Sequence, residues 1–295
     1  MPNAKLSEAW LLDMRKKIML SFFSDDELMD IFVLKGGNAL ELIYKVTKRP
    51  SLDIDLSMED DFVESDLRRI EKKIFKSLND FFKDDNLEVV ELKFEEKPAP
   101  EKRNTPRGNG YKITFKLIEV KEAFIGESED IKRKRALDIA GLKKTFHADI
   151  SKYEYCESKV KVNVDGYTVY VYSPEMIILE KMRAICQQTK EYRSQENSGG
   201  RPRPKDFYDI YMLINKMKIN IRSAENALML KKIFEKKRVP ADLLLIIKEY
   251  REYHRNGFRE LLDTLPEREK NVSYNEIFDY VVEKMLSIHQ TLKDI

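Results

Sequence analysis

The segment Ser51-Leu52-Asp53-Ile54-Asp55-Leu56-Ser57 carries the densest chemical signal in the chain. Successive side chains of an extended strand point to opposite faces. Leu52, Ile54 and Leu56 therefore share one face, and Ser51, Asp53, Asp55 and Ser57 share the other. Two residues at about 3.4 Å each place the carboxylates of Asp53 and Asp55 roughly 7 Å apart. Like charges that close repel unless a cation lies between them. Oxygen ligands at this spacing suit Mg²⁺, which binds through a few carboxylates and completes its shell with substrate phosphates. A solvated acidic face on an edge strand would give the same pattern, so the surroundings decide its weight.

Upstream, Lys35-Gly36-Gly37-Asn38 separates a short apolar run, Ile31–Leu34, from a helical stretch with Leu40, Ile43 and Tyr44 on one face. Amides at a helix N-terminus form an anion site, and glycine lets a ligand approach them closely. Lys35 adds a point charge for phosphate. A phosphate cradle followed one helix later by Asp-x-Asp sets a triphosphate and a metal pair on one sheet edge. Downstream, Thr145–Ser151 alternates again, with Phe146, Ala148 and Ile150 on one face and Thr145, His147, Asp149 and Ser151 on the other. Asp149 is the candidate third carboxylate of a two-metal site; an exposed polar face is the competing explanation.

The elements that must position these residues follow from periodicity. Residues 5–22 and 62–82 read as amphipathic helices. Leu87–Phe94 and Tyr111–Val120 read as a strand pair joined by a charged, proline-rich loop at 97–109. Asp165-Gly166, between Val160–Val164 and Tyr167–Tyr172, is a two-residue hairpin signal. Pro174 opens a helix to about Gln188. Tyr192–Pro204 reads as a loop, and helices are expected at 205–217, 223–237, 240–262 and 274–292. The pattern predicts an α+β domain over 1–172 and a helical domain over 173–295.

The 295 residues carry 54 Lys+Arg against 52 Asp+Glu, a net charge of +2, which excludes an overall polycation. The longest aliphatic stretch, about Leu243–Ile247, is far short of the ~20 residues of a membrane helix. Asp13 interrupts the N-terminus before a signal-peptide core could form. Two cysteines, Cys156 and Cys186, and three histidines exclude a disulfide framework and a zinc cluster. The cysteines read as reduced packing residues of a cytoplasmic protein, and any metal should be a hard cation on carboxylates. Charge is uneven. Lys181–Arg238 holds 15 basic and 6 acidic residues, Lys97–Lys116 holds 6 and 1, and Asp53–Asp66 holds 7 acids and no base. An acidic centre flanked by basic surface fits a polyanionic acceptor such as RNA, with Arg201 and Arg203 as candidate RNA contacts.

The blocks VLKGGNALELIY (Val33–Tyr44), RPSLDIDLS (Arg49–Ser57), ADIS (Ala148–Ser151), SPEMIILEKMRAI (Ser173–Ile185) and RPKDFYDIYML (Arg203–Leu213), in this order and spacing, resemble the nucleotidyltransferase AbiEii/AbiGii toxin family. That family is a branch of the polymerase-β-like nucleotidyltransferases. The resemblance implies a nucleotidyltransferase-like mixed sheet with flanking helices and a C-terminal helical domain. It implies Mg²⁺ on Asp53 and Asp55, with Asp149 assisting, and NTP contacts from Lys35, Gly36, Gly37, Asn38, Arg49, Ser51 and Asp209. Lys181 would neutralise triphosphate charge. Asp206 and Asp209 match the last acidic motif and share a helix face. Either both face the cleft, or Asp206 orients Lys181 or Arg203 and Asp209 braces the helix. The implied setting is the toxin of a toxin–antitoxin or phage-defence pair, with an antitoxin protein as partner. Two other readings compete: a metal-dependent nuclease using Asp53 with Glu95 and Lys97, and a nucleotide- or nucleic-acid-binding protein with a degenerate site.

Overall fold

The computed structural model describes residues 8–48, 51, 53–98, 110–120, 128, 131, 134–137, 145–196 and 200–295. Arg49, Leu52 and most of the 97–109 loop lie outside the described residues. The chain divides into two compact units.

The first unit contains residues 1–38, 51–152 and 160–171. Its centre is a seven-stranded mixed sheet in the order β3-β4-β5-β2-β1-β7-β6. The strands are β1 (Val33–Lys35), β2 (Ile54–Ser57), β3 (Leu87–Lys97), β4 (Gly110–Glu119), β5 (Phe146–Ser151), β6 (Lys159–Val164) and β7 (Tyr167–Tyr172). β2 runs antiparallel to β1 and parallel to β5, and β1 runs parallel to β7. β4 is antiparallel to both β3 and β5. At the head of β4, Gly110 lies so close to the Ile150 carbonyl of β5 that a Cβ there would collide with it.

The sheet's apolar positions are those that alternation predicts. Ile54, Leu56, Phe146, Ala148 and Ile150 are buried, while Asp55 and Asp149 are half-buried. Helices α1 (Glu8–Ser21), α2 (Asp26–Ile31) and α3 (Leu67–Phe82) flank the sheet. α3 buries Ile70, Ile74, Leu78 and Phe82, a 3.6-residue stripe. The 62–82 helix expected from sequence begins later, after a 3₁₀ turn at Glu64–Asp66. Asp165 and Gly166 both have positive φ and make the tight β6–β7 turn.

The second unit contains residues 39–50, 153–159 and 172–295. Its helices are α4 (Pro174–Cys186), α5 (Lys190–Glu196), α6 (Pro204–Met217), α7 (Ala224–Lys236), α8 (Arg251–Arg255), α9 (Phe258–Asp263) and α10 (Tyr274–Asp294). Ser173, Ser223 and Ser273 cap α4, α7 and α10 through their hydroxyls. α4 is buried on nearly every side and packs on α6 and α7, as α10 does. Both cysteines are buried and unoxidised.

Three expectations fail here. Residues 192–196 of the expected loop belong to the helix Lys190–Glu196. The expected 240–262 helix is four short pieces, two of them 3₁₀, broken at Asn256 and Gly257. The left-handed Gly257 interrupts the ladder between the last two pieces. The helix expected after Gly37 is one turn, Gly36–Asn38, passing into a π-helical segment, Ala39–Ile43. Tyr44 N–H bonds to the Ala39 carbonyl at 3.0 Å, five residues back, and Lys45 then leaves with φ +54°.

Candidate active site

In the sheet unit, backbone register gathers the charged residues. Asp55 on β2 is the direct partner of Asp149 on parallel β5 and of Lys35 on antiparallel β1. Asp149 is in turn opposite Lys112 on β4. Cross-strand partners share a face, so Lys35, Asp55, Asp149 and Lys112 form a row of signs +, −, −, +. The Lys112 ammonium lies 3.9 Å from the Asp149 carboxylate, and Lys35 Nζ donates to Ser151 Oγ at 3.0 Å.

Asp53 is exposed just before β2 begins. Its carbonyl accepts from the buried Asn38 amide at 2.6 Å and from Ser51 Oγ at 3.3 Å. Arg15 pins the Ser51 carbonyl at 2.9 Å. The mouth of β2 is thus held from the Gly36–Asn38 turn and from α1. Gly36 has φ +67°, and a Cβ there would strike the Asp55 carboxylate. At Gly37 a Cβ would lie 2.7 Å from Ser51 Cβ. Both glycines are needed for this close approach, Gly36 also for its backbone angle.

The donor set fits a divalent cation completed by substrate. Among the described residues no three His, Cys, Asp or Glu side chains are gathered to hold an ion by themselves. Asp55 and Asp149 stand side by side, Asp53 is at the strand mouth, and the bare Gly36 backbone lets the Asp55 carboxylate lie directly against the turn. Two or so carboxylates plus phosphates and water is how Mg²⁺ is usually bound. The Asn38 Oδ1 atom is buried with no hydrogen-bond partner among the described residues.

The nuclease alternative fails on topology. β3, which carries Glu95, is three strands from β2. At about 4.8 Å per strand that separation is roughly 14 Å, too far for Asp53 and Glu95 to share an ion. Glu95 pairs instead with Lys97 at 3.7 Å.

In the helical unit, Lys181 on α4 meets Asp206 at 2.7 Å and Asp209 at 2.9 Å on α6. Arg203 holds the other Asp206 oxygen at 3.3 Å. Asp209 is fully buried and Lys181 nearly so. Two cations and two anions leave this cluster balanced. Burial opposes the charged ammonium, but the Asp206 and Asp209 carboxylates outweigh it and hold Lys181 above the ordinary lysine range. Asp206 therefore contacts both Lys181 and Arg203, while Arg201 is exposed. Sequence reasoning missed Lys112 and Arg15 because strand register and helix docking leave no local signature.

A mixed sheet with paired carboxylates on adjacent strands beside a glycine turn, with helices following, is a nucleotidyltransferase-like arrangement. The fold matches two Helicobacter pylori crystal structures, each at 16% identity and TM-score 0.51 and each covering 98% of this chain. One is JHP933, 95% covered; the other, 98% covered, is a protein whose nucleotidyltransferase assignment is provisional. No curated protein sequence matches the chain. The chain belongs to the AbiEii nucleotidyl transferase toxin family of type IV toxin–antitoxin systems, whose family model matches residues 17–284. It is therefore a nucleotidyltransferase, and its family implies a nucleotide substrate and an antitoxin partner. No described helix is long and apolar enough to cross a membrane.

Proposed function

We propose that this enzyme moves a nucleotidyl group from an NTP to an acceptor hydroxyl on RNA, tRNA in particular, with Mg²⁺ as cofactor. The observation that carries the reading is the in-register pair Asp55–Asp149 above Gly36, flanked by Lys35 and Lys112. Asp53, Asp55 and Asp149 would hold the ion, which supplies charge neutralisation at the triphosphate and at the attacking oxygen. Lys35 and the Gly36–Asn38 turn receive phosphate oxygens, and Arg49 and Ser51 join them. Asp149 takes the proton of the acceptor hydroxyl. That oxygen bonds to the α-phosphorus, the α–β anhydride bond breaks, and pyrophosphate leaves. By the family resemblance Lys181, held by Asp206 and Asp209, is assigned to the triphosphate. The basic run Lys181–Arg238, with the exposed Arg201, supports a polyanionic acceptor in the cytoplasm.

The test is incubation with each α-³²P-NTP, Mg²⁺ and total RNA, followed by separation of RNA and protein. Label on RNA of undiminished length, with pyrophosphate release, is the expected result. Label on protein alone would overturn the RNA acceptor, and absence of transfer with every NTP would overturn the reading.

A further inference from the structure

His254 is completely buried on α8, against Phe207 and Tyr253, with ring centroids 5.2 and 5.0 Å away. Its Nδ1 accepts the backbone N–H of Arg203 at 3.1 Å, fifty-one positions earlier in the chain. An accepting Nδ1 requires the neutral ring with its proton on Nε2. That Nε2 has no hydrogen-bond partner among the described residues. A phenyl ring would fill this apolar site without leaving a donor unmet, so the observation that accounts for a histidine is the bond made by its other nitrogen.

Arg203 is the N-cap of α6 and makes no side-chain cap of its own. His254 satisfies the amide at this helix end. The same corner touches α6 a second time, because Gly257 lies beside Pro204, where a Cβ would come 3.5 Å from Pro204 Cγ. Three residues on, Asp206 binds Arg203 Nη1 with one oxygen and Lys181 with the other. The connected series is His254, Arg203, Asp206, Lys181. Burial keeps the ring neutral, pushing its pKa down to about 4, with Asp206 pulling it up and Arg203 pushing it down.

We infer that His254 is a positioning residue for nucleotidyl transfer: by accepting the Arg203 amide hydrogen it fixes the first turn of α6, and so fixes Asp206 and the ammonium of Lys181. This rests on the proposed role of Lys181 toward the triphosphate. His254 does not touch substrate in this account. Its loss acts through a displaced Lys181, which raises the KM for nucleotide more than it lowers kcat.

The test uses the full-length protein with the NTP that labels RNA, and the variants His254→Asn, His254→Phe and Asp206→Asn. Asn places an acceptor near the Nδ1 position, whereas Phe keeps the volume and removes the acceptor. His254→Phe should raise nucleotide KM about tenfold while His254→Asn stays near wild type. Hydrogen exchange at the Arg203 amide should be slow in wild type and His254→Asn. The ¹⁵N ring shifts of wild type should report the Nε2–H tautomer, a measurement that stands even if His254→Phe fails to fold. Equal impairment in Asn and Phe variants, wild-type KM in both, or an Nδ1–H tautomer would overturn the inference. An Asp206→Asn variant with wild-type KM would instead overturn the underlying role of the Lys181 cluster, and the inference with it.

Discussion

Asp55 and Asp149 are direct partners in a parallel strand pair, so two like charges stand together on one sheet face by backbone register. Lys35 and Lys112, on the strands outside them, offset the repulsion. The pair is an arrangement that a cation improves and that hydrophobic packing does not require.

Asp55→Asn or Asp149→Asn should lower transfer about 100-fold or more, the scale expected when a group acting on developing charge is lost. Thermal stability should hold or rise slightly, since one member of a like-charge pair is gone. Mg²⁺–NTP should no longer raise the melting temperature. Undiminished activity and an unchanged Mg²⁺–NTP shift would show that these carboxylates do not bind the ion.

Gly36→Ala forces a side chain into left-handed backbone and against Asp55. The backbone alone costs about 1–2 kcal/mol, and displacement of Asp55 should reduce transfer as well. Denaturant unfolding and labelling assays on the same preparation check both effects.

Lys181→Ala leaves Asp209 as an anion with no exposed surface. Breaking a buried pair by removing one partner costs about 3–5 kcal/mol. The helical unit should therefore melt at lower temperature, with weaker NTP binding in whatever remains folded. Lys181→Arg should recover part of both, because charge is kept and geometry changes. Equilibrium unfolding and nucleotide titration are the measurements.

Arg201→Glu should weaken RNA association and reduce the salt slope by about 1, as fewer counterions are released. NTP binding should be unaffected. Arg203 is the poorer probe, since its side chain holds Asp206 and its amide meets His254. Filter binding across a salt series reads the difference.

Asp61 accepts from Lys152 Nζ and from the Tyr111 hydroxyl, both at 2.6 Å. Burial raises its pKa, but the Lys152 and Tyr111 contacts outweigh that and hold it below the usual carboxylate range. A depressed carboxylate stabilises the fold above its unfolded pKa of about 3.9, and that contribution disappears as pH falls through the folded value. Asp61→Asn should therefore flatten the loss of stability below about pH 4. Melting curves from pH 6 to pH 3 check it; parallel profiles for wild type and variant would refute it.

The alternation around Asp53–Ser57 and Thr145–Ser151 was legible because side-chain direction in a strand depends only on position along it. The Asp165-Gly166 turn and the helix start at Pro174 were legible for the same local reason. The pairing of Asp149 with Asp55, the approach of Lys112 and the Arg203–His254 bond were not, because each joins residues far apart in the chain. The 240–262 segment misled through composition. Its apolar residues suit a helix, but tertiary packing and Gly257 favour short turns.

The contact of Gly110 with the Ile150 carbonyl sets the alignment of the sheet. Only a residue without a side chain fits there, and the next glycine available along β4 does not exist, since Gly110 is the one glycine in that strand. β4 therefore has a single seating against β5. A slip of one residue would put a bulky side chain against the carbonyl and turn Lys112 to the opposite side of the sheet. The charge opposite Asp149 is in this way specified two positions away, by a residue that carries no chemistry.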